Sequence, residues 1–223
     1  MMNMKTLAAC GLMLLPLTGK AQSCCESGMK AGEQDVKACC QMQNEVVRTI
    51  MARRSVRKYK DKAVEHEKLA LIAKCGINAP SAMNKQTWAV RVVESKEFIE
   101  ATTRVFEKEN PQMVNRDAHF KNMYRNAPNI IIVACPDDDD DYAELNAGLM
   151  GENMMLAAES LGLGTCCLGS AARFLEESEG CKEYVKRLNL PKGYEICYII
   201  AVGYPDETPE AKPRDEGKVE FIE

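Results

Sequence analysis

Residues 142–170 read YAELNAGLMGENMMLAAESLGLGTCCLGS, and the fold turns on this stretch. From Tyr142 to Gly162, the side chains of Leu145, Leu149, Met150, Met154, Met155, Leu156, Ala157 and Leu161 leave no wide polar face on a helix. A helix that is apolar nearly all round must be covered on every side. In a chain of 223 residues, this predicts a central helix lying in a subunit interface. Gly162 and Gly164 give a tight helix exit, Thr165 to Leu168 reads as a strand, and Gly169 would let a backbone amide approach a planar ligand. These glycines follow a helix and not a strand, so they are not a dinucleotide fingerprint. Cys166 and Cys167 read as small buried apolar residues with no basic neighbour to activate either thiol.

Working outward, Asn44 to Arg54 has Val46, Val47, Ile50 and Met51 on one stripe, with Asn44 as its cap. Glu65 to Ile77 repeats the pattern through Leu69, Leu71, Ile72 and Cys75 and ends before Pro80. Trp88 to Val93 is a strand and Lys96 to Glu107 a helix. Asn129 to Cys135 is a continuous apolar run between Pro128 and Pro136, which suits a strand buried on both faces. Ile196 to Val202 is a further strand, and Tyr204 to Glu223 a polar tail with prolines. The elements do not alternate as regular βαβ units, so the fold class is α+β, an irregular three-layer sandwich.

Composition excludes several classes of function. The 29 Lys and Arg against 33 Asp and Glu leave a formal charge of -4, the wrong sign for a duplex binder. With 46% hydrophobic and 28% charged residues, a packed core is expected and intrinsic disorder is not. Eleven Cys is high for a cytosolic enzyme yet well below a disulfide scaffold, and the presence of only 2 His weakens any metal or triad reading.

The N-terminus reads as an export signal, with Lys5, an apolar run from Leu7 to Leu17, and Thr18-Gly19-Lys20-Ala21. The run is shorter than the about 20 residues a membrane span needs, so cleavage after Ala21 and a periplasmic location are expected. Leu7-Ala8-Ala9-Cys10 resembles a lipoprotein box, but Cys10 precedes most of the apolar run. The expected division is therefore a signal peptide over 1–21, a Cys-rich linker over 22–43 and a folded domain over 44–223. Cys24, Cys25, Cys39 and Cys40 in the linker would be incidental thiols, disulfide partners or soft-metal ligands.

Three segments have the residue types for ligand chemistry. Arg53-Arg54-Ser55-Val56-Arg57-Lys58-Tyr59-Lys60 packs five cations into eight positions of an acidic chain, which suits either an anionic group or a solvated helix end. Ala79 to Trp88 is a loop carrying Asn84 and Gln86, whose amides match the donor and acceptor edge of a flavin ring. The plainer alternative there is a capped turn with Trp88 filling the core. Asp137 to Asp141 lacks the alternation and Gly turn of a calcium loop and reads as a solvated acidic turn, with Asp141 capping the central helix.

In this order, the segments resemble the FMN-dependent nitroreductase family. The matching stretches are Arg53 to Arg57, Ala79 to Trp88, the strand after Ala127-Pro128, Leu161 to Cys166, and Ile199-Ile200-Ala201-Val202-Gly203-Tyr204-Pro205. The resemblance runs from about Val46 to the C-terminus. It implies a homodimer with a mixed sheet flanked by helices and FMN sites at the interface. It also implies that Arg53, Arg54, Ser55 and Arg57 hold the phosphate, ribityl chain and pyrimidine edge, with Arg57 the cation beside the ring. Pro80, Ser81, Ala82, Asn84 and Gln86 would come from the partner subunit, Leu168 and Gly169 would offer backbone groups near the reactive nitrogen, and Lys212 or Arg214 would close on the phosphate. The family commonly has Pro where this chain has Thr87, which bears on the loop geometry. No side-chain acid or base and no metal ligand is expected.

The activity so implied is transfer of two electrons from NAD(P)H to nitroaromatic, quinone or similar acceptors, with no nucleic-acid partner and no stable membrane span. Two other readings stay open: a flavin enzyme of the same fold with another reaction, such as a flavin reductase or dehalogenase, and an exported thiol or metal-handling protein built on the linker cysteines.

Overall fold

The strand Asn129–Pro136 is buried along all but its last residue, as an uninterrupted apolar run requires when helices cover both faces. In the computed structural model, which describes residues 44–137 and 142–223, it lies inside a four-stranded sheet. The expected leader, the Cys-rich linker and the Asp141 cap lie outside the described residues. In chain order the elements are α1 (Glu45–Ala52), α2 (His66–Gly76), β1 (Ala89–Val93), α3 (Lys96–Glu109), α4 (Pro111–Val114), β2 (Asn129–Pro136), α5 (Ala143–Ser160), β3 (Gly164–Leu168), α6 (Gly169–Glu177), α7 (Lys182–Arg187) and β4 (Tyr194–Gly203).

The sheet order is β1-β2-β4-β3, and each neighbouring pair is antiparallel. The parallel component of the expected mixed sheet is a single bridge between Ser55 and Thr165. Strand alternation divides the core in two. Ile130, Ile132, Ile199 and Ala201 pack with Phe98 and Ile99 of α3 and Leu175 of α6. Ile131, Val133, Ile200 and Val202 meet Leu69 and Ile72 of α2 and Met150 and Met154 of α5. Each such side chain contributes about 1.5 to 3 kcal/mol on burial, and the outcome is helices on both faces of one sheet.

Local chemistry sets the boundaries. The Asn44 Oδ1 accepts from the Val46 and Val47 amides at 3.0 and 3.1 Å and so caps α1. Gly162, at φ +72°, closes α5, with the Leu163 amide donating to the Ala158 carbonyl. Between β2 and β4 the register shifts after Val133, and Cys197, in that irregular stretch, forms a disulfide with Cys135.

The central helix differs from the all-covered picture within one protomer. Ala143, Asn146, Ala147, Met150, Gly151, Met154 and Ala158 are buried, whereas Leu145 and Leu149 point outward. α1 buries none of its residues, and its Val46, Ile50 and Met51 are exposed as well. On α2, Leu69 and Ile72 are buried, but Leu71 of the expected stripe is exposed.

Candidate functional site

The chain leaving α1 carries the cation cluster across the end of the sheet. The Val56 amide donates to the Thr165 carbonyl at 2.9 Å, which aligns this segment with edge strand β3. An added Cβ at Gly164 would lie 2.8 Å from Val56, so the approach requires glycine there. Arg53 is half-buried, and its Nε lies 3.2 Å from Glu152 of α5. The Arg57 Nη1 donates to the Ser55 carbonyl at 3.0 Å, bringing guanidinium and hydroxyl-bearing residue together. Arg54 turns the other way, donating to the Met51 and Arg53 carbonyls at 2.7 Å each, and lines a groove with Val56, Glu159, Pro205 and Glu207.

Cys166 is buried beneath this cluster, and strand alternation turns Cys167 to the opposite face, where it is exposed. The expectation that both are buried is therefore corrected for Cys167. The expectation of no basic neighbour is also corrected, because Arg57, Arg125 and Arg53 all act on the Cys166 thiol. Burial outweighs them and pushes that thiol up from its ordinary value, so Cys166 stays protonated at neutral pH. Arg125 comes from a segment without a motif. It is held at φ +59° in a turn where the Asn126 Oδ1 accepts from the Lys121 and Asn122 amides at 2.8 and 3.0 Å.

The tail is fastened along the same segment. The Lys60 amide donates to the Tyr204 carbonyl and the Asp206 amide to the Lys58 carbonyl, both at 2.9 Å, while Glu207 accepts from the Arg57 amide. The Tyr204 ring sits under the Lys62 Nζ, 4.1 Å from its centroid, and its hydroxyl meets the Glu65 Oε2 and Lys68 Nζ. The Tyr204 hydroxyl first, then a backbone hydrogen bond and Lys62, hold the Glu65 carboxyl down to about 2. Farther on, Lys212 and Arg214 are exposed, with the Arg214 Nη1 donating to the Lys212 carbonyl at 3.0 Å. Among the described residues, no hydrogen bond or ion pair joins either of them to the Arg53 to Arg57 segment.

The Ser81–Thr87 loop has an unusual backbone. Met83, Asn84 and Gln86 all have positive φ, at 52°, 55° and 53°. Such conformations cost of order 1 to 3 kcal/mol at a non-glycine residue, least for Asn, and persist only where surrounding structure enforces them. The Ser81 Oγ accepts from the Gln86 amide at 3.0 Å, and the Gln86 Nε2 lies 3.3 Å from the Asn84 Oδ1. Asn146 of α5, which the sequence reading passed over as part of an apolar helix, reaches this loop at both ends. Its Oδ1 accepts from the Ala82 amide at 3.1 Å and its Nδ2 donates to the Thr87 Oγ1 at 3.4 Å. Thr87 thus anchors the loop through its hydroxyl.

At the end of β3, Leu168 is buried and Gly169 is exposed at the first turn of α6. A Cβ added at Gly169 would meet nothing within 4 Å. Open space over a helix start, the Arg57 guanidinium beside Ser55 with Arg53 on the same segment, and an amide-bearing loop fit a flat ring joined to a phosphate. Among the described residues no group of three or more His, Cys, Asp or Glu is placed to hold a metal ion, and no helix is long and apolar enough to cross a membrane.

A family model described as "Nitroreductase family" matches residues 50–204. A protein of Methanothermobacter thermautotrophicus, called a putative NADH dehydrogenase/NAD(P)H nitroreductase, is 30% identical over 169 residues, covering 74% of this chain and 80% of its own. The NADPH-flavin oxidoreductase of Vibrio harveyi is 28% identical over 188 residues, covering 77% and 70%. Among solved structures, a nitroreductase with bound FMN from Bacteroides fragilis superposes with a TM-score of 0.69 at 28% identity, over 81% of this chain and 100% of that one.

Proposed function

The chain belongs to the nitroreductase family, and on that premise we propose that it is an FMN-dependent oxidoreductase passing two electrons from NAD(P)H to nitroaromatic, quinone or similar acceptors. The observation that carries this reading is the convergence of Arg53, Ser55 and Arg57 on edge strand β3, whose end opens at Gly169. FMN, when bound, would supply the redox chemistry, accepting hydride from a nicotinamide and giving electrons to an acceptor.

The protein's own residues would bind and orient. Arg53 and Arg57 offer charge-assisted hydrogen bonds to phosphate and ring oxygens, and Ser55 adds a hydroxyl. Positive charge at Arg57 would favour negative charge on a ring edge held beside it. Leu168 and Gly169 offer backbone groups where no side chain intervenes. Pro80, Ser81, Ala82, Asn84 and Gln86 would serve the partner subunit's site, and Arg54, Lys212 and Arg214 would complete the cationic wall once that subunit is present.

A homodimer is part of the proposal. Support comes from the outward Leu145 and Leu149 of α5 and the exposed Val46, Ile50 and Met51 of α1, because large apolar side chains left exposed in number mark an interaction surface. Export with cleavage after Ala21, leaving a Cys-rich linker over 22–43 ahead of the 44–223 domain, is proposed as well. The Cys135–Cys197 disulfide supports an oxidising, periplasmic setting, and an intact mass starting at Gln22 in native material checks the cleavage. Flavin analysis tests the central reading: purified protein should carry FMN noncovalently, about one per chain, and protein that neither carries nor binds FMN would overturn it.

A further inference from the structure

Asn146 is 2% exposed, on the sheet-facing side of a helix whose other buried residues are apolar or small. A buried amide is retained only where its hydrogen bonds are made. Here the chemistry of the partners fixes its orientation: the Ala82 amide can only donate, so Oδ1 must face it, and Nδ2 is left for the Thr87 hydroxyl. One side chain thereby holds positions 82 and 87 together. Between them lie Met83, Asn84 and Gln86, each in the left-handed region, and Met83 is 80% exposed in the single protomer.

Within the loop, the Asn84 amide donates to the Ser81 carbonyl, the Lys85 amide to the Ala82 carbonyl and the Gln86 amide to the Ser81 Oγ. These bonds shape the turn but do not tie it to the body of the protein. Asn146 does so, from the same helix that presents Glu152 to Arg53.

We infer that Asn146 is the positioning residue for cofactor binding, clamping the strained Ser81–Thr87 loop in the one backbone arrangement from which Asn84 and Gln86 meet the ring. The inference rests on the flavin reading of that loop. Without the clamp, the left-handed residues relax, and the loop must be re-formed at each binding event, which lowers apparent affinity by the fraction of chains in the competent conformation.

Equilibrium FMN titration of the full chain, stripped of cofactor and followed by flavin fluorescence, tests it in four variants. Asn146→Leu keeps size but removes both hydrogen bonds and should weaken FMN at least about tenfold. Thr87→Val removes only one bond and should weaken it by a smaller factor. Met83→Gly relieves a left-handed position at an exposed side chain. Alone it should leave affinity close to wild type, and combined with Asn146→Leu it should recover part of the loss. Recovery by glycine separates positioning from a general packing role, which glycine would not repair. If Asn146→Leu does not fold, Thr87→Val with and without Met83→Gly decides. Wild-type affinity in the variants that lack the clamp, or a loss that Met83→Gly fails to relieve, would overturn the inference. Failure of the wild-type chain itself to bind FMN would instead sink the flavin reading beneath it.

Discussion

The Glu207 carboxylate accepts a hydrogen bond from the backbone amide of Arg57, across 150 positions of sequence. It ties the segment after the last strand to the segment after the first helix, and it uses the amide and not the guanidinium. Replacing the Arg57 side chain therefore leaves the tie in place. Arg53 is also replaceable without opening the core, because its partner Glu152 is half-exposed.

The double variant Arg53→Ala, Arg57→Ala is accordingly expected to fold and to lose FMN. A hydrogen bond to a charged group is worth about 1.5 to 3 kcal/mol, so losing two weakens binding by at least tenfold. Dialysis followed by visible absorbance measures it. Stoichiometric flavin retained by the double variant would show that these arginines do not hold the phosphate or ring.

The contacts of Tyr204 predict a pH dependence. The Glu65 carboxyl is held down to about 2 by the Tyr204 hydroxyl, its own backbone and Lys62. A depressed carboxyl contributes stability that is present above its unfolded value, near 4.5, and is lost as pH falls from there toward about 2. In urea unfolding, wild type should exceed Glu65→Gln at pH 6, and the gap should narrow as pH falls below 4.5 and close only toward about 2. A gap that stays constant or widens on acidification contradicts the assigned contacts.

Removing the Cys135–Cys197 disulfide, which closes a separation of 62 residues, by Cys135→Ala with Cys197→Ala should destabilise the domain by about 2 to 4 kcal/mol. Urea unfolding under non-reducing conditions gives the difference, and alkylation of the unreduced, denatured wild type should leave both positions unmodified. Labelling of either thiol in that sample would refute the bridge.

How far the sequence could be read depended on how each residue declares its surroundings. β2 was legible because seven successive buried residues admit no solvent-facing side, and α1 because Asn44 caps an amphipathic stripe. α6 and α7 went unread. α6 is nine residues long and its buried face is mostly alanine, Ala171 and Ala172 with Leu175, and the six-residue α7 buries nothing, so neither carries an apolar stripe of large side chains long enough to declare a helix. Pairing order was equally silent, and with it the Cys135–Cys197 bond, which exists only once β2 lies beside β4. At the site, Arg53, Ser55 and Arg57 stood out as a charge cluster. The Ala79 to Trp88 loop stood out through the Asn84 and Gln86 amides, but its backbone strain did not, because its left-handed residues are Met, Asn and Gln and not glycine, and Asn146 was hidden among apolar neighbours.

Dimerisation should be coupled to cofactor retention. If Ser81, Asn84 and Gln86 complete the partner's pocket, dissociation opens it, and binding of FMN in turn favours the dimer by mass action. Sedimentation with simultaneous protein and flavin detection, over a dilution series, should show flavin leaving as dimer is lost. A monomer that sediments with its full complement of FMN would contradict the shared pocket.

The most direct measurement is anaerobic stopped-flow absorbance of the purified flavin-loaded protein, mixed first with NADH or NADPH and then with a nitroaromatic or a quinone. The account predicts that a nicotinamide bleaches the visible flavin band and that the acceptor restores it, with one acceptor reduced per flavin for a two-electron change. A flavin band that neither nicotinamide bleaches, or a bleached band that no acceptor of either class restores, would contradict it.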